Sequence, residues 1–95
     1  MIVINVIYHC KEGKRDDFLK ALLAEGLDKK CQADAGNIKY DYYLPAVEDN
    51  TVLLIERWED EESLKAHIAA PHMAKIGELK ALYVEHTELQ KMSAE

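Results

Sequence analysis

Long apolar runs, paired cysteines and basic clusters are all missing from this 95-residue chain. Its longest apolar runs, such as residues 1–4 and 52–55, are far shorter than the ~18 residues that a membrane-spanning helix needs. The N-terminus lacks the basic and apolar regions of a signal peptide. Cys10 and Cys31 lie far apart, without a C-x-x-C motif. We therefore expect a cytoplasmic protein without a membrane segment, whose two cysteines remain buried thiols.

The charge balance excludes another class of partner. The chain has 12 Lys+Arg and 18 Asp+Glu, a net charge of −6, and no cluster of basic residues. An acidic surface repels a phosphate backbone, so nucleic acid is not an expected partner. The length predicts a single domain, residues 1–95, and residues 93–95 are expected to form a flexible tail.

The apolar patterning predicts six elements in the order β-α-β-β-α-β. Strands are expected at 2–8, 37–44, 51–58 and 82–92, and the first helix at 15–33. Asp60 caps the predicted second helix, and Pro71 divides it. This order is that of the α+β ferredoxin-like fold, in which two helices cover one face of a four-stranded antiparallel sheet. Since strands one and three are apolar on both faces, a second copy is expected to cover the other face, which predicts a homodimer.

The most specific pattern spans residues 56–72. It contains E-x-W at Glu56 and Trp58, an acidic helix start, Leu64 three residues before His67, and H-x3-P-H ending at His72. In these features, and in its length, the chain resembles the antibiotic biosynthesis monooxygenase family. The resemblance implies a dimeric α+β barrel. It also implies a choice among the family's activities, which include cofactor-free quinol oxidation, haem degradation and isomerisation of a phosphorylated autoinducer.

The resemblance disfavours haem degradation and leaves two branches open. The haem-degrading members use a Trp and a His on the second helix, where this chain has His67 and Gly77. H-x3-P-H resembles both the quinol monooxygenases and the autoinducer isomerases. The first hypothesis is therefore a cofactor-independent monooxygenase that oxidises a quinol or related small phenol with O₂. The alternatives are an isomerase of a phosphorylated hydroxyketone, which needs Lys39, Arg57 or Lys75 for the phosphate, and a non-enzymatic dimeric binding module.

His67 and His72 are the candidate proton-transfer residues. On an unbroken helix they would point about 140° apart, but the break at Pro71 changes this geometry. His72 would then lie at a helix start, whose dipole favours the neutral imidazole that accepts a proton. The opposing interpretation is that His67 packs in an interface and His72 lies on the surface.

Three further residues are expected to line the substrate pocket. They are Asn5, Tyr40 and Trp58, which bring an amide, a phenol and an indole to an apolar cavity. No cofactor and no metal are expected. The weighed metal set, the two histidines with Glu56 or His86, lacks a common chelating spacing.

Overall fold

A computed structural model describes residues 1–94 and contains eight helices and strands. Their bounds are β1 Ile2–Cys10, α1 Arg15–Ala24, α2 Leu27–Gln32, β2 Asn37–Tyr43, β3 Thr51–Trp58, α3 Glu61–Ile68, α4 Met73–Tyr83 and β4 Val84–Ser93. The strands form one antiparallel sheet in the order β2-β3-β1-β4. The ferredoxin-like α+β fold predicted from the sequence is confirmed. No helix within residues 1–94 has the length and apolarity to cross a membrane.

Alternation along β1 separates the two faces of the sheet. Ile4 and Val6 are buried beneath the helices, whereas Asn5 and Ile7 are half-buried on the opposite face, here called the open face. Residues paired across neighbouring strands lie on the same face of the sheet. Glu56 on β3 is paired with Ile4 and therefore lies on the helix-covered face. The core lies between the sheet and the helices, and Cys10 and Cys31 are buried in it as free thiols, as predicted.

The helical segment between β1 and β2 differs from its prediction. A single helix over 15–33 was expected, but Gly26, with a φ of 64°, ends α1 and begins α2. Leu22 and Leu27 are both buried, and residues five apart on one helix would point about 140° from each other. The left-handed glycine reorients the chain so that both leucines reach the core, which a continuous helix cannot achieve.

The C-terminal half follows the prediction more closely. The expected break at Pro71 lies between α3 and α4, while β4 begins at Val84 instead of residue 82. The predicted tail begins within ordered structure, because Ser93 is the last residue of β4 and the Ala94 amide donates to the Met1 carbonyl at 2.9 Å. Residue 95 lies outside the described residues.

Candidate active site at the break between α3 and α4

The break after α3 brings the two predicted histidines together. The N-cap residue of α3, Asp60, accepts a hydrogen bond from the Ser63 amide at 2.8 Å, so the helix starts at a fixed point. His67 lies in its last turn, and His72 is the N-cap residue of α4. The residues around Pro71 turn the chain between them. Both imidazoles can therefore face the same neighbour.

That neighbour is Asp34, which follows α2 in the turn to β2. Its Oδ2 atom accepts from His67 Nδ1 at 2.8 Å and from His72 Nε2 at 3.0 Å. The turn is fixed by two backbone bonds, from the Asp34 amide to the Cys31 carbonyl and from the Asn37 amide to the Asp34 carbonyl, each 3.1 Å. Since an ionised carboxylate only accepts, both nitrogens that face it carry hydrogen. The contact thus fixes the tautomer of each neutral imidazole.

His67 extends this contact into the core. Its Nε2 atom lies 3.7 Å from Glu56 Oε1, the same oxygen to which Trp58 Nε1 donates at 3.0 Å. Burial raises the pKa of the Glu56 carboxyl, while the Trp58 hydrogen bond and the nearby His67 imidazole act in the opposite direction. Glu56, His67, Asp34 and His72 therefore form a continuous polar chain from the core to the surface, called here the polar chain.

Aromatic side chains hold His67 in place. The Trp58 ring lies 4.4 Å from the imidazole, and the Tyr40 ring lies 5.7 Å away in an edge-on contact. Both are buried, with exposures of 0% and 2%, and so is His67 at 3%. Burial raises the pKa of the Tyr40 phenol. In this structure Trp58 packs against His67. A substrate could contact the Trp58 indole only if the surrounding side chains moved apart.

The sequence-predicted site residues do not all meet. His67, His72, Tyr40 and Trp58 lie together on the helix-covered side of the sheet. Asn5 lies on the open face, opposite Ile55 on β3 and Gln90 on β4. The sheet itself separates Asn5 from the histidines.

A cleft of about 360 Å³ opens beside this cluster, between the first two helices and β2. Its aromatic wall consists of Tyr40, Tyr42 and Tyr43, and Leu19 and Leu23 contribute the apolar side. The Tyr42 hydroxyl is buried and lacks a hydrogen-bond partner among residues 1–94. A ligand in this cleft would contact the tyrosines, since the histidines are not part of its lining.

Sequence reasoning missed Asp34 and treated Cys31 only as a buried thiol. These two residues and both histidines each offer one ligand atom, and the four atoms lie within 4.8 Å of one another. Burial raises the pKa of the Cys31 thiol to about 12. The only available signal was the three-residue spacing of Cys31 and Asp34 at a helix end, which is too common to indicate a site. A second group with metal-ligand chemistry, His9, His86 and Glu88, lies on the open face.

Comparison with known proteins agrees with this architecture. Residues 1–79 match the family model described as "Antibiotic biosynthesis monooxygenase". The chain is 35% identical over 97 residues to "Putative monooxygenase YcnE" of Bacillus subtilis (strain 168), covering 96% of this chain and all of that protein.

Two solved structures share the fold at lower identity. One is the "Putative antibiotic biosynthesis monooxygenase" from Nitrosomonas europaea, with a TM-score of 0.88, 18% identity and coverage of 99% and 98% of the two chains. The other is a conserved protein from Methanosarcina mazei Go1, with a TM-score of 0.86, 24% identity and coverage of 99% and 92%. At these identities the likeness bears on the fold alone, whereas the family match also rests on sequence. The chain belongs to the antibiotic biosynthesis monooxygenase family.

Proposed function

We propose that the protein is a cofactor-independent monooxygenase that oxidises a quinol or related small phenol with O₂. The observation that carries this proposal is the Asp34 carboxylate oxygen shared by His67 and His72. A carboxylate that orients an imidazole and stabilises its protonated form is a general means of making histidine an effective base.

His72 is the base in this proposal. Both nitrogens of His67 face carboxylates, and the ring is buried. His72 uses only Nε2 toward Asp34, makes no side-chain cap bond within the described residues, and its side chain is 16% exposed. With hydrogen on Nε2, the lone pair of Nδ1 is available to a substrate hydroxyl at the surface. His67 then acts as a positioning residue that holds Asp34 from the opposite side.

The chemistry follows from this arrangement. His72 Nδ1 takes the hydroxyl proton, and Asp34 stabilises the resulting imidazolium. The more electron-rich phenolate transfers an electron directly to O₂, and the two radicals combine through a new C–O bond. The imidazolium returns its proton to the peroxide, and loss of water then leaves the oxidised ring, so that a quinol and O₂ give a hydroxyquinone and water. One oxygen atom enters the ring and the other leaves in water, without a flavin or metal.

The isomerase alternative receives less support from the placement of the cations. Lys75 Nζ lies between Glu25 and Glu78, at 3.5 and 3.4 Å. Lys39 Nζ lies 2.9 Å from the Asp41 carboxylate. Arg57 is opposite Val3 in the β1–β3 register and so belongs to the open face, away from the histidines. A substrate phosphate beside His72 would thus have to compete with Glu25 and Glu78 for Lys75.

The proposal includes a homodimer in the cytoplasm. The open face carries Val3, Ile7, Leu53 and Ile55, all only partly buried by their own chain. A second copy packed against this face would remove these side chains from water. The two buried thiols suit the reducing conditions of that compartment.

Oxygen uptake with a quinol tests the proposed activity. We expect the purified wild-type protein, without added flavin, haem or metal, to consume O₂ faster than quinol alone and to place one atom of ¹⁸O₂ in the product. Asp34→Asn should lower this rate by roughly 10²-fold or more, because an amide nitrogen facing His72 Nε2 favours the tautomer with hydrogen on Nδ1. Asp49→Asn, which makes the same change at an exposed position in the loop between β2 and β3, is the matched control. Equal rates for wild type and Asp34→Asn would contradict the assignment.

A further inference from the structure

We propose that Cys31, Asp34, His67 and His72 bind a zinc ion. The expectation of no metal rested on the sequence spacing of histidines, which does not show that Cys31 and Asp34 lie beside them. The four residues come from the end of α2, the following turn, the last turn of α3 and the start of α4. Binding therefore depends on the fold, which brings the end of α2 and its following turn next to the break between α3 and α4.

The donor set and its geometry fit zinc. A thiolate, two imidazole nitrogens and a carboxylate oxygen are the ligands of tetrahedral zinc sites. Two of these contacts already converge on one atom, since both histidines reach Asp34 Oδ2. The imidazole planes of His67 and His72 are inclined by 51°, so lone pairs that lie in these two planes can meet at one point.

Glu56 supplies the outer contact that such a site needs. Histidine ligands to metals usually donate their second ring N–H to a carboxylate or carbonyl, which fixes the ring. If His67 binds zinc through Nδ1, its hydrogen lies on Nε2, and that atom is 3.7 Å from Glu56 Oε1. The carboxylate is in turn held by the Trp58 indole. The polar chain thus contains three of the four zinc ligands and the carboxylate that supports His67.

The second histidine group has less suitable geometry. The rings of His9 and His86 are stacked, with centroids 4.1 Å apart and planes inclined by only 10°. In-plane lone pairs on parallel rings do not converge on one point. His86 also exposes 61% of its side chain. This group serves as the matched control for surface binding.

Zinc binding has a consequence for the proposed function. The metal would take the Asp34 carboxylate and the Nε2 atom of His72, and would displace the Cys31 thiol proton to solvent. Hydrogen would then lie on His72 Nδ1, the atom proposed to accept the substrate proton. Zinc is therefore expected to inhibit quinol oxidation. This consequence rests on the proposed function, but zinc binding itself does not.

Titration of the whole chain with Zn²⁺ against a chromophoric chelator, and with Co²⁺ as a spectroscopic substitute, tests the site. We expect one ion per chain and a thiolate-to-cobalt charge-transfer band. Cys31→Ser should abolish the band and weaken zinc binding, and Glu56→Gln should weaken it by about 10- to 100-fold. His86→Ala should leave both unchanged. Asp34→Asn, on the surface side of the cluster, provides a second ligand variant should Cys31→Ser fail to fold.

Three results would overturn the proposal: no zinc binding or cobalt band in the folded wild type, zinc affinity unchanged in folded Cys31→Ser and Asp34→Asn, or a binding site lost in His86→Ala. Failure of the proposed function is distinguishable from all three. A protein without quinol oxidation would still show the cobalt band if the zinc site exists, and an active protein without the band would lack only that site.

Discussion

Replacing each histidine with alanine separates the positioning role of His67 from the catalytic role of His72. His67 is 3% exposed, contacts the Trp58 ring and has a carboxylate at each nitrogen. His72 has one carboxylate contact and a partly exposed side chain. His67→Ala should therefore act mainly on stability, and His72→Ala mainly on rate.

The sizes of the two effects follow from these contacts. His67→Ala removes the imidazole between Glu56 and Asp34, which keep only Trp58 and His72 as partners, and opens a void beside Trp58. These losses cost roughly 3 kcal/mol of unfolding free energy. His72→Ala removes one hydrogen bond that water can replace, a loss of roughly 1 kcal/mol. In a domain of this size each kcal/mol lowers Tm by roughly 4–8 °C. We expect decreases of roughly 12–24 °C and 4–8 °C, respectively.

Thermal unfolding and oxygen uptake on the same samples measure both quantities. The protein concentration must be equal throughout, because association changes Tm. His72→Ala should lower the oxidation rate by roughly 10²-fold or more, and added imidazole should restore part of it. A His72→Ala protein that oxidises quinol at the wild-type rate, or one that loses more stability than His67→Ala, would refute the assignment of roles.

Three further predictions concern pH, backbone conformation and association. Because burial raises the pKa of Glu56, this carboxyl binds a proton more tightly in the folded protein than in the unfolded chain. The unfolding free energy of the wild type, relative to that of Glu56→Gln, should therefore fall as the pH rises from 4.5, the pKa in the unfolded chain, through the raised pKa of the folded protein. Chemical denaturation at several pH values measures this dependence. Gly36→Ala should lower Tm more than Gly13→Ala. Both glycines have positive φ, but an added Cβ overlaps the Ser63 side chain only at Gly36. Leu53→Asp should dissociate or unfold the proposed dimer in sedimentation, since it places a charge in the apolar open face; a wild-type monomer would contradict that interface.

The amino-acid sequence determined the order of elements and the break at Pro71. Both depend on local features, namely period-two and helical apolar spacing, the Asp60 cap, and a proline that cannot continue a helix. The break within the first helical segment was less visible. Gly26 could be tolerated inside a helix, and only the burial of both Leu22 and Leu27 required it to adopt the left-handed conformation.

Tertiary structure decided which side chains meet. Sequence patterning showed that Asn5 is polar within an apolar strand, but pleating and cross-strand register placed it on the open face, away from His67. Asp34 lies 33 residues from His67 in sequence, and no local spacing connects them. Their contact exists because α2 and α3 pack on the same side of one sheet. Local sequence thus determined where the chain turns, whereas packing determined which atoms the turns bring into contact.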